Sequence, residues 1–109
     1  MLDEQSFRDR CDSAMTDLER SLSPAMERYD FEADFSGGAL KIEFEDPPAK
    51  FVVSPNSPVR QIWISAHLQS FKLDWNEPAS AFVHTESGRT LKVLVADAIS
   101  RQLGEEVML

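Results

Sequence analysis

Two alternating runs joined by a pair of glycines constrain this chain more than any other feature. In residues 30–35, Phe31, Ala33 and Phe35 take one side and Asp30, Glu32 and Asp34 the other. Ser36-Gly37-Gly38 is a turn signal, and residues 39–45 repeat the alternation with Leu40, Ile42 and Phe44 inward. The two strands so joined form an antiparallel hairpin that is wet on one face. Its apolar face then needs a second layer to cover it.

The flanking segments supply that layer. From Asp3 or Glu4 onward, Phe7, Cys11, Ala14, Met15, Leu18 and Leu22 recur at spacings of three and four, the stripe of an amphipathic helix. Asp12 and Glu19 lie on its opposite face. Ser23-Pro24 is expected to end the helix, because proline disfavours helical geometry in the residue before it. After the hairpin, Asp46-Pro47-Pro48-Ala49 is read as a turn and residues 50–53 as a third strand. Ser54-Pro55-Asn56-Ser57-Pro58 reads as a loop that cannot continue a sheet interior. Residues 61–65, 70–75 and 81–85 give three further strands, with Phe71, Leu73 and Trp75 on one face of the second. Thr90 is the expected N-cap of a last helix with Leu91, Leu94, Val95 and Ala98 buried, and Gly104 its C-cap. The expected fold is α+β. It is a two-layer sandwich in which the N- and C-terminal helices pack on one face of an antiparallel sheet of about six strands, all within one domain spanning residues 1–109.

One strand carries an anomaly. In Gln61-Ile62-Trp63-Ile64-Ser65 the isoleucines claim the core face, so the largest side chain, Trp63, points outward between Gln61 and Ser65. An indole buries well over ~150 Å² when it finds a partner. Packing under a loop or on neighbouring strands is the plain explanation; a binding surface is the other, because Trp is enriched at interface hot spots.

Charge narrows the function classes. The net charge is −8, and residues 1–46 account for all of it, with thirteen Asp/Glu against five Lys/Arg. That argues against nucleic acid, which needs a basic footprint, and suits cations or a basic protein surface. Solubility alone also explains a charge of this size. No apolar run approaches the ~20 residues of a membrane span, and neither a signal nor a transit peptide is expected at the N-terminus. The single cysteine, Cys11, sits on the apolar stripe and reads as a core residue. A cytoplasmic location follows from that cysteine usage.

Catalytic motifs are sparse. There is no nucleophile elbow, no phosphate loop and no paired histidines; His67 reads as a solvated turn residue and His84 as half-buried. Carboxylates remain. Asp30, Glu32 and Asp34 occupy successive outward positions about 6–7 Å apart. With Asp12 and Glu19 they make a ridge of hard oxygen donors that would hold iron, manganese or calcium ions weakly. Charged edges also guard strands against aggregation, so the spacing alone has low specificity.

These pieces together resemble the frataxin family, in its bacterial CyaY-type branch. The resemblance runs the length of the chain through Phe35-Ser36-Gly37-Gly38-Ala39-Leu40-Lys41-Ile42-Glu43-Phe44, the P-x-x-Q-I-W-I-S stretch from Pro58 to Ser65, the strand of residues 70–75, and Ser87-Gly88-Arg89-Thr90-Leu91. It implies a protein of iron–sulfur cluster assembly and iron homeostasis, an iron chaperone rather than an enzyme. Fe²⁺ or Fe³⁺ would be bound weakly at Glu19, Asp30, Glu32 and Asp34, with Asp12 a weaker candidate. Its implied partners are a cysteine desulfurase and a scaffold protein, met through that ridge and through Gln61 and Trp63. A monomer is expected, with iron-dependent oligomers left open. Ser23, Pro24, Met26 and Arg28 stand where bacterial relatives often carry acids. A ferroxidase or iron-storage enzyme is the competing class, disfavoured because exposed strand acids lack the ligand cage of helix-bundle di-iron enzymes. A metal-independent interaction module is the third.

Overall fold

The computed structural model describes residues 2–45 and 48–109. Helix α1 (Glu4–Arg28) leads into β1 (Glu32–Ser36), β2 (Ala39–Glu45) and β3 (Pro48–Asn56). A 3₁₀ turn (Ser57–Val59) precedes β4 (Gln61–Ala66), β5 (Gln69–Asn76), β6 (Ala81–His84), β7 (Arg89–Thr90) and α2 (Leu91–Leu103). The strands form one sheet in sequence order, and every neighbouring pair is antiparallel. The expected turn at Asp46-Pro47 lies outside the described residues; Pro48 and Ala49 belong to β3.

Register follows from the first hairpin. Gly37 and Gly38 have φ of +62° and +79°, the two positive angles that a two-residue type I′ turn needs. Ser36 therefore faces Ala39, and the pairing runs without slip to Glu32 opposite Glu43. From there the alternation sorts the sheet into two faces. Leu40, Ile42, Phe44, Phe51, Val53, Ile62, Ile64, Leu73 and Phe82 are buried on the inner face. Against them pack Phe7, Cys11, Met15, Leu18, Leu22 and Ala25 of α1, and Leu91, Leu94, Val95 and Ile99 of α2. Each Val, Leu, Ile, Met or Phe among them contributes about 1.5–3 kcal/mol when withdrawn from water. Both helices sit on one side, which leaves the other face of the sheet wet.

Several expectations need correction. Helix α1 does not stop at Ser23 but continues through Pro24 to Arg28. Pro24 is exposed, so its ring turns to water. Beyond it Ala25 is buried and Met26 packs on the core, which offsets the lost helical bond. Pro55 is likewise inside a strand, facing Ile62. The pairing of β3 with β2 ends at Val53, so Pro55 has a sheet neighbour on one side only, where proline is tolerated. Phe35 is 44% exposed; it lies beside the turn on an edge strand, with only part of α1 near it. The sheet has seven strands rather than about six, because Arg89 and Thr90 pair with His84 and Val83 before Thr90 caps α2. A strand of two residues is too short to read from alternation. In α2 Ile99 is fully buried and Ala98 only half-buried, one step round from the expected stripe. The chain then folds back from Gly104, and buried Val107 donates its N–H to Ser100 Oγ at 2.8 Å.

Candidate partner-binding face and acidic edge

Trp63 stands at the middle of β4, with Ser54 across one flank and Lys72 across the other. It is half-buried, and its surroundings are ordered by hydrogen bonds along the wet face. The indole Nε1–H donates to Gln61 Oε1 at 2.9 Å. Gln61 Nε2 donates in turn to Asp74 Oδ1 at 3.2 Å, and Thr85 Oγ1 donates to Asp74 Oδ2 at 3.3 Å. Lys72 Nζ lies 5.0 Å from the indole centroid, within range of a cation–π attraction. Cross-strand packing of the plain kind is therefore present, yet no helix lies on this face. The indole is held in one orientation with part of its surface still wet. A side chain already fixed in this way loses little conformational freedom when a partner covers it.

The other tryptophan is used differently. Trp75, on the inner face, has its edge against Phe82 at 5.3 Å and the Arg10 guanidinium 5.0 Å over its ring. Its Nε1–H donates to Glu77 Oε1 at 2.8 Å. Trp75 ties α1 to the sheet; Trp63 ties nothing to the core.

The acids group at the far edge of the sheet. Asp30 is exposed in the link between α1 and β1, outside the strand, and Glu32 and Asp34 are exposed on β1 itself. Those three line a cleft with Met26, Tyr29, Lys41 and Glu43. Glu19 lines a neighbouring cleft with Asp34, Arg20 and Phe35, so Asp34 is common to both. Asp12 is apart from them, in a shallow depression with Ser13, Thr16, Asp17 and Arg20. Glu43 adds a carboxylate that the alternation of residues 30–35 does not point to: the hairpin register set by the glycine pair places it opposite Glu32. Three cations interleave: Lys41 faces Asp34, Lys50 faces Glu43, and Arg20 shares the cleft with Glu19.

Chemically, this edge offers hard oxygen donors without a cage. Among the described residues no three His, Cys, Asp or Glu side chains approach closely enough to enclose a metal ion. An ion resting here would keep most of its waters and touch carboxylates one oxygen at a time. The remaining titratable groups are structural. Cys11 is 3% exposed, and burial, aided by Asp12, pushes its thiol up to about 12, far from a nucleophile's range. His67 lies in the β4–β5 turn as expected, but it is not solvated. It is half-buried, its ring 4.9 Å from that of Phe51 and its Nε2 3.0 Å from Gln102 Oε1, which pins the β4–β5 hairpin to α2. His84 is half-buried as expected, with its ring 5.4 Å from Phe71 and Nδ1 2.7 Å from Ser87 Oγ.

Comparison with known proteins places this arrangement. The frataxin-like domain family matches residues 1–105. The chain belongs to that family. Among frataxins it is of the bacterial CyaY type. It is 30% identical over 93 residues to the "Iron-sulfur cluster assembly protein CyaY" of Azotobacter vinelandii, covering 84% of each chain. To the protein of the same name from Pseudomonas aeruginosa it is 29% identical over 108 residues, covering 97% of this chain and 95% of that one. The solved frataxin of Psychromonas ingrahamii superposes with a TM-score of 0.82 at 21% identity, over 98% of this chain and 97% of the other. That likeness bears on the fold: two helices on one face of an antiparallel sheet. No helix among the described residues is long and apolar enough to cross a membrane.

Proposed function

We propose that this CyaY-type frataxin is a cytoplasmic, monomeric adaptor of iron–sulfur cluster assembly. It binds a cysteine desulfurase and its scaffold protein and carries iron weakly on its acidic edge. The observation that carries this reading is the Trp63 indole, fixed by Gln61 and Lys72 on a helix-free sheet face yet still partly exposed. The name shared by the curated relatives supplies the pathway. Glu19, Asp30, Glu32 and Asp34 are the carboxylates assigned to Fe²⁺ or Fe³⁺, and Glu43 joins them by its place opposite Glu32. A basic partner surface would meet the same edge, so bound iron would neutralise part of it and weaken that contact. Exposed monodentate acids supply neither a dry site nor a fixed ligand set, so the iron is cargo or signal rather than the centre of an oxidase.

Anaerobic Fe²⁺ titration followed by amide NMR tests the metal assignment. Shifts and broadening are expected at Glu19, Asp30, Glu32, Asp34 and Glu43, with the Trp63 strand unaffected. No localised change would remove iron from the account. Retention of the chain by an immobilised cysteine desulfurase tests the adaptor assignment, and absence of retention at low salt would sink it.

A further inference from the structure

We propose that Met26 is a modification site: its thioether is oxidised to the sulfoxide by hydrogen peroxide, and the product loosens the edge strand β1 from α1. The inference stands on packing at the α1–β1 junction and does not require that iron bind.

The Ala33 N–H of β1 donates to Met26 Sδ at 3.0 Å. Strand β1 is the edge of the sheet, paired with β2 alone. An edge amide that a further strand would have taken is thus satisfied by a side chain of the helix. Thioether sulfur is a weak acceptor, so the bond is a poor substitute for a carbonyl partner. Met26 is also reachable. It is half-buried and lines both clefts that flank this junction, one with Tyr29, Asp30 and Glu32, the other with Glu19, Ser23 and Phe35. Met15, by contrast, is 4% exposed in the core. The helical turn that presents Met26 follows Pro24, which gives no N–H to the preceding turn. That last turn therefore has one helical hydrogen bond fewer to the helix above it.

The chemistry balances simply. The sulfur lone pair attacks one peroxide oxygen, the O–O bond breaks, and an S–O bond forms. The departing hydroxide takes up a proton as water, and the sulfur has lost two electrons to the peroxide. At 3.0 Å there is no room for an oxygen between sulfur and the amide nitrogen. The sulfoxide oxygen therefore turns into one of the clefts, and the oxidised sulfur gives up the Ala33 N–H to water. The side-chain bond that ties β1 to α1 at this junction is then lost. Methionine oxidation of this kind converts an apolar packing group into a polar one and is reversible in cells.

The test uses the intact chain. Trypsin separates the relevant methionines, with Met26 in residues 21–28, Met15 in 11–20 and Met108 in 102–109. After graded peroxide treatment, mass spectrometry should find Met26 and the 77%-exposed Met108 converted while Met15 stays reduced. In the oxidised protein the Ala33 amide should shift, and its hydrogen-exchange protection should fall roughly tenfold, the loss of about one net hydrogen bond. Met26 remaining reduced when Met108 is fully converted would overturn the proposal. So would a Met26 sulfoxide that leaves the Ala33 shift and protection unchanged. Met26→Leu provides the control: Ala33 protection should be low without peroxide, and peroxide should lower it no further. A further peroxide-induced fall in Met26→Leu would place the effect elsewhere and refute the assignment.

Discussion

Replacing Pro24 with alanine should stabilise this protein, because it restores a helical N–H and removes a ring clash. Pro24 lies within α1, four residues from its end at Arg28, and is exposed. In a helix interior, proline costs about 3 kcal/mol through the missing N–H and the clash with the carbonyl four residues back. Here the cost is smaller because the affected turn is near the helix end and faces water. Proline also restricts the unfolded chain, and losing that restriction costs up to about 1 kcal/mol. The net gain expected for Pro24→Ala is about 1–2 kcal/mol, equivalent to a rise in Tm of roughly 5–15 °C for a domain of this size. Urea unfolding followed by circular dichroism would measure it, with a higher midpoint and an unchanged slope. Had the helix ended at Ser23, only the unfolded-state term would act and the substitution would destabilise. A midpoint that stays put or falls would therefore refute the account of α1.

Two further outcomes follow from burial. Ile62 is 0% exposed on the strand that carries Trp63, so Ile62→Ala should cost about 2–5 kcal/mol by the same unfolding assay; a loss under about 1 kcal/mol would mean the sheet is not packed as described. Cys11 should resist thiol reagents at pH 8 until the protein unfolds, because burial raises its pKa from 9.0 to about 12. A thiol with a raised folded pKa contributes stability that is intact below about pH 9 and is lost as pH climbs towards about 12. Fast stoichiometric labelling of the folded chain, or stability flat across that window, would contradict this.

The parts of the fold legible in the sequence were those set by local chemistry. Gly37 and Gly38 determine a turn, the turn determines register, and alternation then sorts Leu40, Ile42 and Phe44 from Lys41 and Glu43. Thr90 and Gly104 bracket α2 because capping needs particular side chains and a positive φ. The parts that were not legible depend on what lies alongside a residue rather than on the residue. Pro24 and Pro55 look like breakers until one knows that the first faces water and the second has no sheet neighbour on one side. His67 reads as solvated until Phe51 and Gln102, far off in sequence, close around it. Val107 becomes core only because the tail reverses after Gly104. The alternation foretold that Trp63 points away from the helices. The bond to Gln61 lies within β4 itself, but the ammonium of Lys72 that also fixes the orientation required the pairing of β4 with β5. The acidic residues were individually visible, but their division between two clefts was not, since it depends on how α1 lies against β1.

The adaptor reading is tested most directly by measuring the affinity of the wild-type chain and of Trp63→Ala for a cysteine desulfurase bound to its scaffold protein. Trp63 is partly exposed and lies off the core, and truncating it should leave the fold intact at a cost of no more than about 1 kcal/mol in cross-strand packing. As an interface anchor its loss should cost at least about 2 kcal/mol of binding, raising Kd roughly 30-fold or more. An unchanged Kd, with the variant folded as judged by its amide spectrum, would contradict the assignment of this face as the partner surface.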